Sequence, residues 1–391
     1  MGDVCAERIV IRPPARADRN AAHFEEPLKV GMLVDYEPNE MLPDLLDPLI
    51  LAFEDAMNCG RLSHAIELIT KVCVSLPKKP AKNTVDAYHQ LADEGALLIM
   101  GPGASDNAVV LRDYVEARKV PVLALTGTSQ LQGDYCFVLA NGGHGEEPAL
   151  VANFLANSGY RRIAMFGEYG GSGDTEYRAW FKEQCRLQDI HIAFEHILNQ
   201  RPEDGELDVL FKEVKERVQP DALVYMGTGW CIPAFNPALA RIGWNPIKVA
   251  NAAFMWAPNS SAWMEAMEGW TGVDQIPGVE TGDVNPNAAT LFDRFEKRFD
   301  RRVEQVMIPL MYDVGRVVAE GIVNASEMSP KGVRFGLERI KMFPAANGGA
   351  HTHITFGPYD HRGYKGDFLV MRKIVNQRYV GVTGLQARHR V

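Results

Sequence analysis

From residue 28 onward, short β-rich runs alternate with amphipathic helical stretches, and this alternation constrains the fold more than any other feature. The strand-like runs are "LKVGMLVD" (28–35), "AIELITKVCV" (65–74), "ALLIMG" (96–101) and "VPVLALT" (120–126), with helical patterns between them at about 41–58, 83–94 and 105–118. After "CFVLAN" the cycle resumes: helix at about 146–158, "RRIAMFG" (161–167), helix at 173–187, "IHIAFEHI" (190–197). A helix at 206–217, "DALVYMG" (221–227), a helix at 232–242 and "IKVANAAF" (247–254) complete it. Parallel strands need long crossovers, which helices supply, so the pattern predicts an α/β fold with helices on both faces of parallel sheets.

Eight strands in one sheet is one solution, but "GDYCFVLANGGHGEEP" (133–148), rich in Gly and polar residues, reads as a crossing between two sheets. The carboxyl third then changes character, with helices at about 287–300, 308–324 and 330–340, followed by β-like "HITF" and "GDFLVMRKIV". Late helices followed by late strands predict that the chain revisits both halves. The expectation is two doubly wound parallel-sheet lobes joined by several crossings. Lobe 1 takes residues 28–143 plus about 272–344, and lobe 2 takes 144–271 plus about 345–391. Residues 1–27 alternate arginines with acids, have no apolar core, and read as a solvated, disordered tail rather than a secretory signal.

Composition narrows the partners. At 391 residues two domains are the natural expectation, and 46% hydrophobic with 23% charged residues is ordinary for a soluble globular chain. A net charge of −9, with acids and bases interspersed, disfavours nucleic acid or an anionic membrane surface. No apolar run approaches the roughly 18 residues that span a bilayer.

The motifs of catalysis and cofactor binding are missing. A dinucleotide fold wants G-x-G-x-x-G directly after its first strand, where this chain has "VDYEPNEM". "GPGASDN" (101–107) follows a later strand and lacks the third glycine, and "GEYGGSGD" (167–174) is not a phosphate loop. There is no G-x-S-x-G elbow and no H-E-x-x-H. The six cysteines form no C-x-x-C pair and no zinc spacing, and "HTH" (351–353) alternates like a strand. No cofactor and no metal are expected, and the cysteines read as free thiols of a reducing compartment.

What recurs is a set of small polar residues at strand carboxyl ends. Ser105, Asp106 and Asn107 follow one strand, and Thr126, Thr128 and Ser129 the next. Tyr169 and Ser172 follow 161–167, Thr228 and Trp230 follow 221–227, and Tyr36 lies past the first strand. In open α/β sheets ligands sit at those ends, where helix amino termini present unpaired N–H groups. Ser and Thr there are also ordinary helix caps, so no single position is diagnostic. Four consecutive strand ends of this kind point to a ligand cleft.

Several blocks resemble the leucine/isoleucine/valine-type substrate-binding proteins of ABC transporters, which have the type I periplasmic binding fold. They are "LAFEDAMNCG" with "AIELITKV", "LIMGPGAS", "KVPVLALTGTS", "RRIAMFGEYG", "DALVYMGTG", "PLMYDVGRVVAEGI" and "THITFGPYDHRGYKGDFLVMRKIVNQRYV". Their order and spacing, over about residues 28–382, carry the likeness. The resemblance implies two lobes that close by a hinge on a small molecule, without catalysis, and an ABC permease as partner. It implies that Ser105 and Thr128 hold the ligand's carboxylate, that Tyr169 closes over it, and that Thr228 is another pocket position. Tyr312 and Asp313 match a late "YDA" that reads better as packing.

Two departures stand out: there is no signal peptide in the sequence as given, and Ala104 stands where some relatives have a cysteine. Both point toward a cytosolic relative, of the style of the amide-sensing regulator, although the family itself implies a periplasmic or cell-surface home. A cytosolic sensor and an enzyme using the same cleft therefore stand as alternatives to solute delivery. Amino-acid binders of this family set an acid against the ligand ammonium; the matching stretch here, "VANAAFMWAP", has Phe254 and Trp256 but no carboxylate. The expected ligand is a hydrophobic or aromatic carboxylate or amide, walled by Phe254, Trp256, Trp230 and Tyr169.

Overall fold

The structure, a computed structural model, describes residues 6–14, 26–37, 42–140, 142–168, 171–198, 202–203, 205–251, 253–255, 261–275, 285–303 and 306–382. The chain divides into two compact units. The first comprises Met1–Asn141, Pro286–Asn347 and His351–Phe368, and the second Gly142–Asn285, Gly348–Ala350 and Leu369–Val391. Among the described residues, 272–275 and 285 thus go with the second unit and 351–368 with the first, unlike the boundaries expected from sequence.

The first unit opens with β1 (Ala6–Ile11), β2 (Leu28–Val34), α1 (Leu42–Asn58), β3 (Ile66–Val72) and α2 (Lys82–Asp93). There follow β4 (Ile99–Met100), α3 (Ser105–Arg118), β5 (Val122–Ala124) and β6 (Cys136–Val138). They build a six-stranded sheet in the order β1-β3-β2-β4-β5-β6, parallel except for β1. β2 is buried along most of its length, as expected of a central strand covered on both faces. α3 begins without a side-chain cap, carries Asp106 in its first turn and Arg118 in its last, and stops where Lys119 turns left-handed at φ 61°.

The second unit follows with α4 (Glu146–Asn157), β7 (Arg162–Glu168), α5 (Ser172–Leu187), β8 (His191–Leu198) and α6 (Glu206–Glu213). It continues through β9 (Ala222–Met226), α7 (Phe235–Arg241), β10 (Ile247–Ala250), α8 (Ser261–Ala266) and β11 (Trp270–Asp274). The chain then gives the first unit α9 (Pro286–Phe299), α10 (Met307–Val323), α11 (Pro330–Glu338) and a small sheet of β12 (Phe343–Pro344), β13 (His353–Ile354) and β14 (Tyr364–Lys365). β15 (Val370–Val375) and β16 (Arg378–Gly381) return to the second unit, whose seven-stranded sheet runs β16-β15-β11-β10-β9-β7-β8. α11 starts at Pro330 with the Ser329 hydroxyl accepting the Gly332 N–H at 3.0 Å, a standard capped start.

β1 corrects one expectation. Residues 6–11 do not belong to a solvated tail: they pair antiparallel with β3 and form an edge of the sheet. The Arg8 guanidinium reaches Glu67 of β3 at 2.9 Å and also pairs with Glu94, so charges that read as solvated have partners on the neighbouring strand and beyond. β11 lies outside the strand-like runs of the sequence, whereas β13 falls within the β-like "HITF".

No helix among the described residues is long and apolar enough to cross a membrane.

Candidate functional site

In the first unit the predicted residues gather at the carboxyl ends of β2, β4 and β5. The turn after β4 starts at Gly101, whose φ is +87°, and an added Cβ would stand 2.5 Å from the Leu33 carbonyl oxygen. Only glycine tolerates that conformation and approach. The chain thereby swings Ser105 to the first position of α3, where its hydroxyl hydrogen-bonds the Thr126 hydroxyl at 2.7 Å. Thr126 and Thr128 are buried, while Ser105, Asp106 and Ser129 are half-buried. The Thr128 hydroxyl accepts the Gln130 N–H at 3.2 Å, so this residue also shapes its own turn.

Two residues that the sequence reading passed over hold this loop set. Asp35, directly after β2 and 1% exposed, accepts the Gly103 N–H at 2.8 Å, the Ala104 N–H at 3.1 Å and the Asn107 amide at 2.7 Å. Burial pushes its carboxyl above the ordinary carboxylate range, while the Asn107 amide and the two N–H groups pull the other way. Arg362 donates to the carbonyls of Gly127 (3.3 Å) and Thr128 (3.1 Å), fixing the turn after β5 from a distant part of the same unit. Tyr36 is half-buried beside Gly103, and burial followed by the Asp35 charge raises its phenol pKa.

In the second unit the corresponding strand ends are organised by Glu168, the last residue of β7. Its Oε1 accepts the Thr228 hydroxyl (2.5 Å) and the N–H groups of Gly229 (2.6 Å) and Trp230 (3.2 Å). Its Oε2 accepts the Tyr225 hydroxyl (2.5 Å) and the Cys231 N–H (3.1 Å). A carboxylate offers about four lone-pair positions, so five donors fill it. Burial, then the Glu168 charge, push the Tyr225 phenol well above its ordinary value and keep it a donor. Thr228 is therefore engaged with Glu168, and Trp230 stands 65% exposed beside it.

Phe254 departs from expectation. It is fully buried, with its ring 5.4 Å from that of Tyr379, and an added Cβ on Gly272 would come within 2.3 Å of the Phe254 Cβ. It is a core side chain of the second unit, not an accessible wall. Tyr169 and Trp256 lie outside the described residues. Tyr312 and Asp313 pack: the Tyr312 hydroxyl donates to Asp55 at 2.6 Å, and fully buried Asp313 accepts the N–H groups of Ala346 (2.8 Å) and Asn347 (3.0 Å). Among the described residues, no group of three or more His, Cys, Asp or Glu side chains is arranged to hold a metal ion.

The periplasmic binding protein family model matches residues 77–373. Comparison with curated protein sequences finds no match. Solved structures of the same fold include an ABC transporter substrate-binding protein from Desulfitobacterium hafniense in complex with Leu. It is 15% identical with a TM-score of 0.76, covering 91% of this chain and 100% of that one. A leucine-binding protein from Thermotoga maritima is 16% identical with a TM-score of 0.73, covering 90% of this chain and 97% of its own. An R. palustris solute-binding protein in complex with benzoate is 14% identical with a TM-score of 0.73, covering 91% and 95%. These three structures are of solute-binding proteins, and the likeness of fold extends over both units. With the family model spanning most of its length, the chain belongs to the periplasmic binding protein family.

Proposed function

We propose that this protein is the solute-binding component of an ABC-type uptake system and takes a small hydrophobic or aromatic carboxylate or amide. The polar end of the ligand is assigned to Ser105, Thr126 and Thr128, with Asp106, Ser129 and Tyr36 around them. Trp230 offers an apolar surface for the body, with Thr228 beside it.

The observation that carries the ligand class is the state of Glu168. It is the carboxylate at the end of β7, beside Thr228 and Trp230, and its oxygens already accept five donors, while Asp274 at the end of β11 is paired with Arg372 at 2.9 Å. An ammonium brought there would displace those bonds, and a buried cation without a partner is very costly. A ligand without an ammonium avoids that cost. The solved relatives include one bound to benzoate and one bound to Leu, so the fold serves both kinds of solute and the choice rests on the residues.

Calorimetry with leucine, valine and phenylalanine beside benzoate and larger apolar acids tests the reading. Micromolar binding of leucine would end it. The resemblance also implies lobes that close on the ligand, so the scattering radius should fall when the right solute is added. Thermal stability should rise by about 2.7 kcal/mol at a hundredfold excess over Kd.

A cytosolic sensor of the same fold is the second reading. Its support is the cysteines: Cys73, Cys136, Cys185 and Cys231 are buried free thiols and Cys59 an exposed one. Fractionation of the native cells, with the bound solute followed by mass spectrometry, separates sensing from delivery to a permease.

A further inference from the structure

Asp35 and Glu168 stand at equivalent places in the two units. Each sits at the carboxyl end of its unit's first parallel strand, and that strand lies between the second and third: β2 between β3 and β4, β7 between β8 and β9. Each carboxylate is buried, and each accepts backbone N–H groups from the loop that follows the third strand. Asp35 takes Gly103 and Ala104; Glu168 takes Gly229, Trp230 and Cys231. Successive backbone N–H groups converging on one point form a cradle for an anion, and here the protein supplies the anion itself.

We propose that Asp35 and Glu168 are a matched pair of positioning residues, each a built-in anion that locks its unit's strand-end loop into one conformation. Glu168 also occupies the N–H groups of Gly229, Trp230 and Cys231, so this loop does not receive a free anion. Charge-assisted hydrogen bonds are about twice as strong as neutral ones, which makes a carboxylate a better brace than a hydroxyl or an amide would be. The Glu168 brace is the fuller, since two side-chain hydroxyls join the three N–H groups. That the braced loops are those that meet the solute rests on the function proposed above; the bracing itself does not.

The experiment therefore uses no solute. Amide hydrogen exchange of the full chain is followed in Glu168→Gln, Glu168→Ala and Asp35→Asn. In Glu168→Gln, protection of the Gly229, Trp230 and Cys231 amides should fall at least tenfold, with Gly103 and Ala104 unchanged. Asp35→Asn should do the reverse. In Glu168→Ala, added acetate should return protection to the three amides, because a free carboxylate can enter the vacated cradle; it should do nothing in the parent protein. Unchanged protection in Glu168→Gln, or a loss spread evenly over the second unit, overturns the proposal. So does a folded Glu168→Ala that acetate fails to rescue. Should the alanine variant not fold, the glutamine variant decides alone. If none of the solutes tested by calorimetry binds while these results hold, the functional reading fails and the braces stand.

Discussion

The Ser105 and Thr126 hydroxyls hydrogen-bond at 2.7 Å across the ends of β4 and β5. The pair couples the first residue of α3 to the turn after β5, so a ligand oxygen received there meets a pre-set arrangement. Ser105→Ala should weaken binding of the cognate solute by about 1–3 kcal/mol, the worth of a charge-assisted hydrogen bond, and cost about 1 kcal/mol of stability through the lost bond to buried Thr126. Thr128→Ala tests the neighbouring position in the same way, because that side chain is fully buried and holds the Gln130 N–H. It should cost about 1 kcal/mol of stability as well as affinity. Calorimetry beside thermal melts separates the two effects, and an unchanged affinity in Ser105→Ala means the site is misassigned.

Phe254 and Trp230 should behave oppositely. Phe254 is fully buried against Tyr379 and Gly272, so Phe254→Ala should destabilise by about 3–5 kcal/mol. Trp230 is largely exposed, and Trp230→Ala should change stability by no more than about 0.5 kcal/mol while weakening capture of an apolar solute. Denaturant melts decide the first half. Small and equal losses in both variants would return Phe254 to an accessible surface.

The contrast shows what the sequence made legible. The parallel strands β2 to β10 were readable because buried strands are short apolar runs and their crossovers have helical period. The polar residues at the ends of β4, β5 and β9 followed directly from that register. β1 was not readable: "AERIVI" is charged, and Arg8 makes sense only once Glu67 and Glu94 lie beside it. Glu168 was hidden in "FGEYGG", a stretch that reads as a glycine turn, and its donors lie 57 to 63 residues further along the chain. Phe254 looked like a ligand wall because strand-end position and aromatic type can be read locally, whereas burial is a property of the packed unit.

The cysteines give a chemical check on the packing. Burial pushes the thiols of Cys73 and Cys185 up to about 12, and raises Cys136 further. At pH 8 the thiolate fraction at such sites is on the order of one in ten thousand, and the thiolate is the nucleophile. Cys59 is exposed. Native protein treated with a thiol reagent at pH 8 should lose one fast-reacting equivalent on Cys59→Ser. The Cys73→Ser and Cys185→Ser variants should leave the fast count as it was. Rapid labelling at either buried position would show that its helix or strand opens far more readily than its packing implies.

Lys248 makes a prediction in pH. It lies buried at the start of β10, donating to the Asn236 side chain at 2.7 Å and the Glu268 carbonyl at 3.1 Å, and burial lowers its pKa from 10.5 to about 8. Between those two values the unfolded chain holds a proton that the folded chain has released. Stability contributed by this group therefore rises with pH across that window, and below it the charged, desolvated ammonium is a standing cost. Lys248→Met removes the charge and keeps the apolar stem, so the variant should be the more stable at pH 7. Its advantage should shrink as pH rises from about 8 toward 10, where the parent protein sheds the same charge by titration. Paired melts across that range give the difference directly, free of the other groups that titrate alongside. A variant that is less stable at every pH would mean that the bonds to Asn236 and Glu268 outweigh the desolvation of the ammonium.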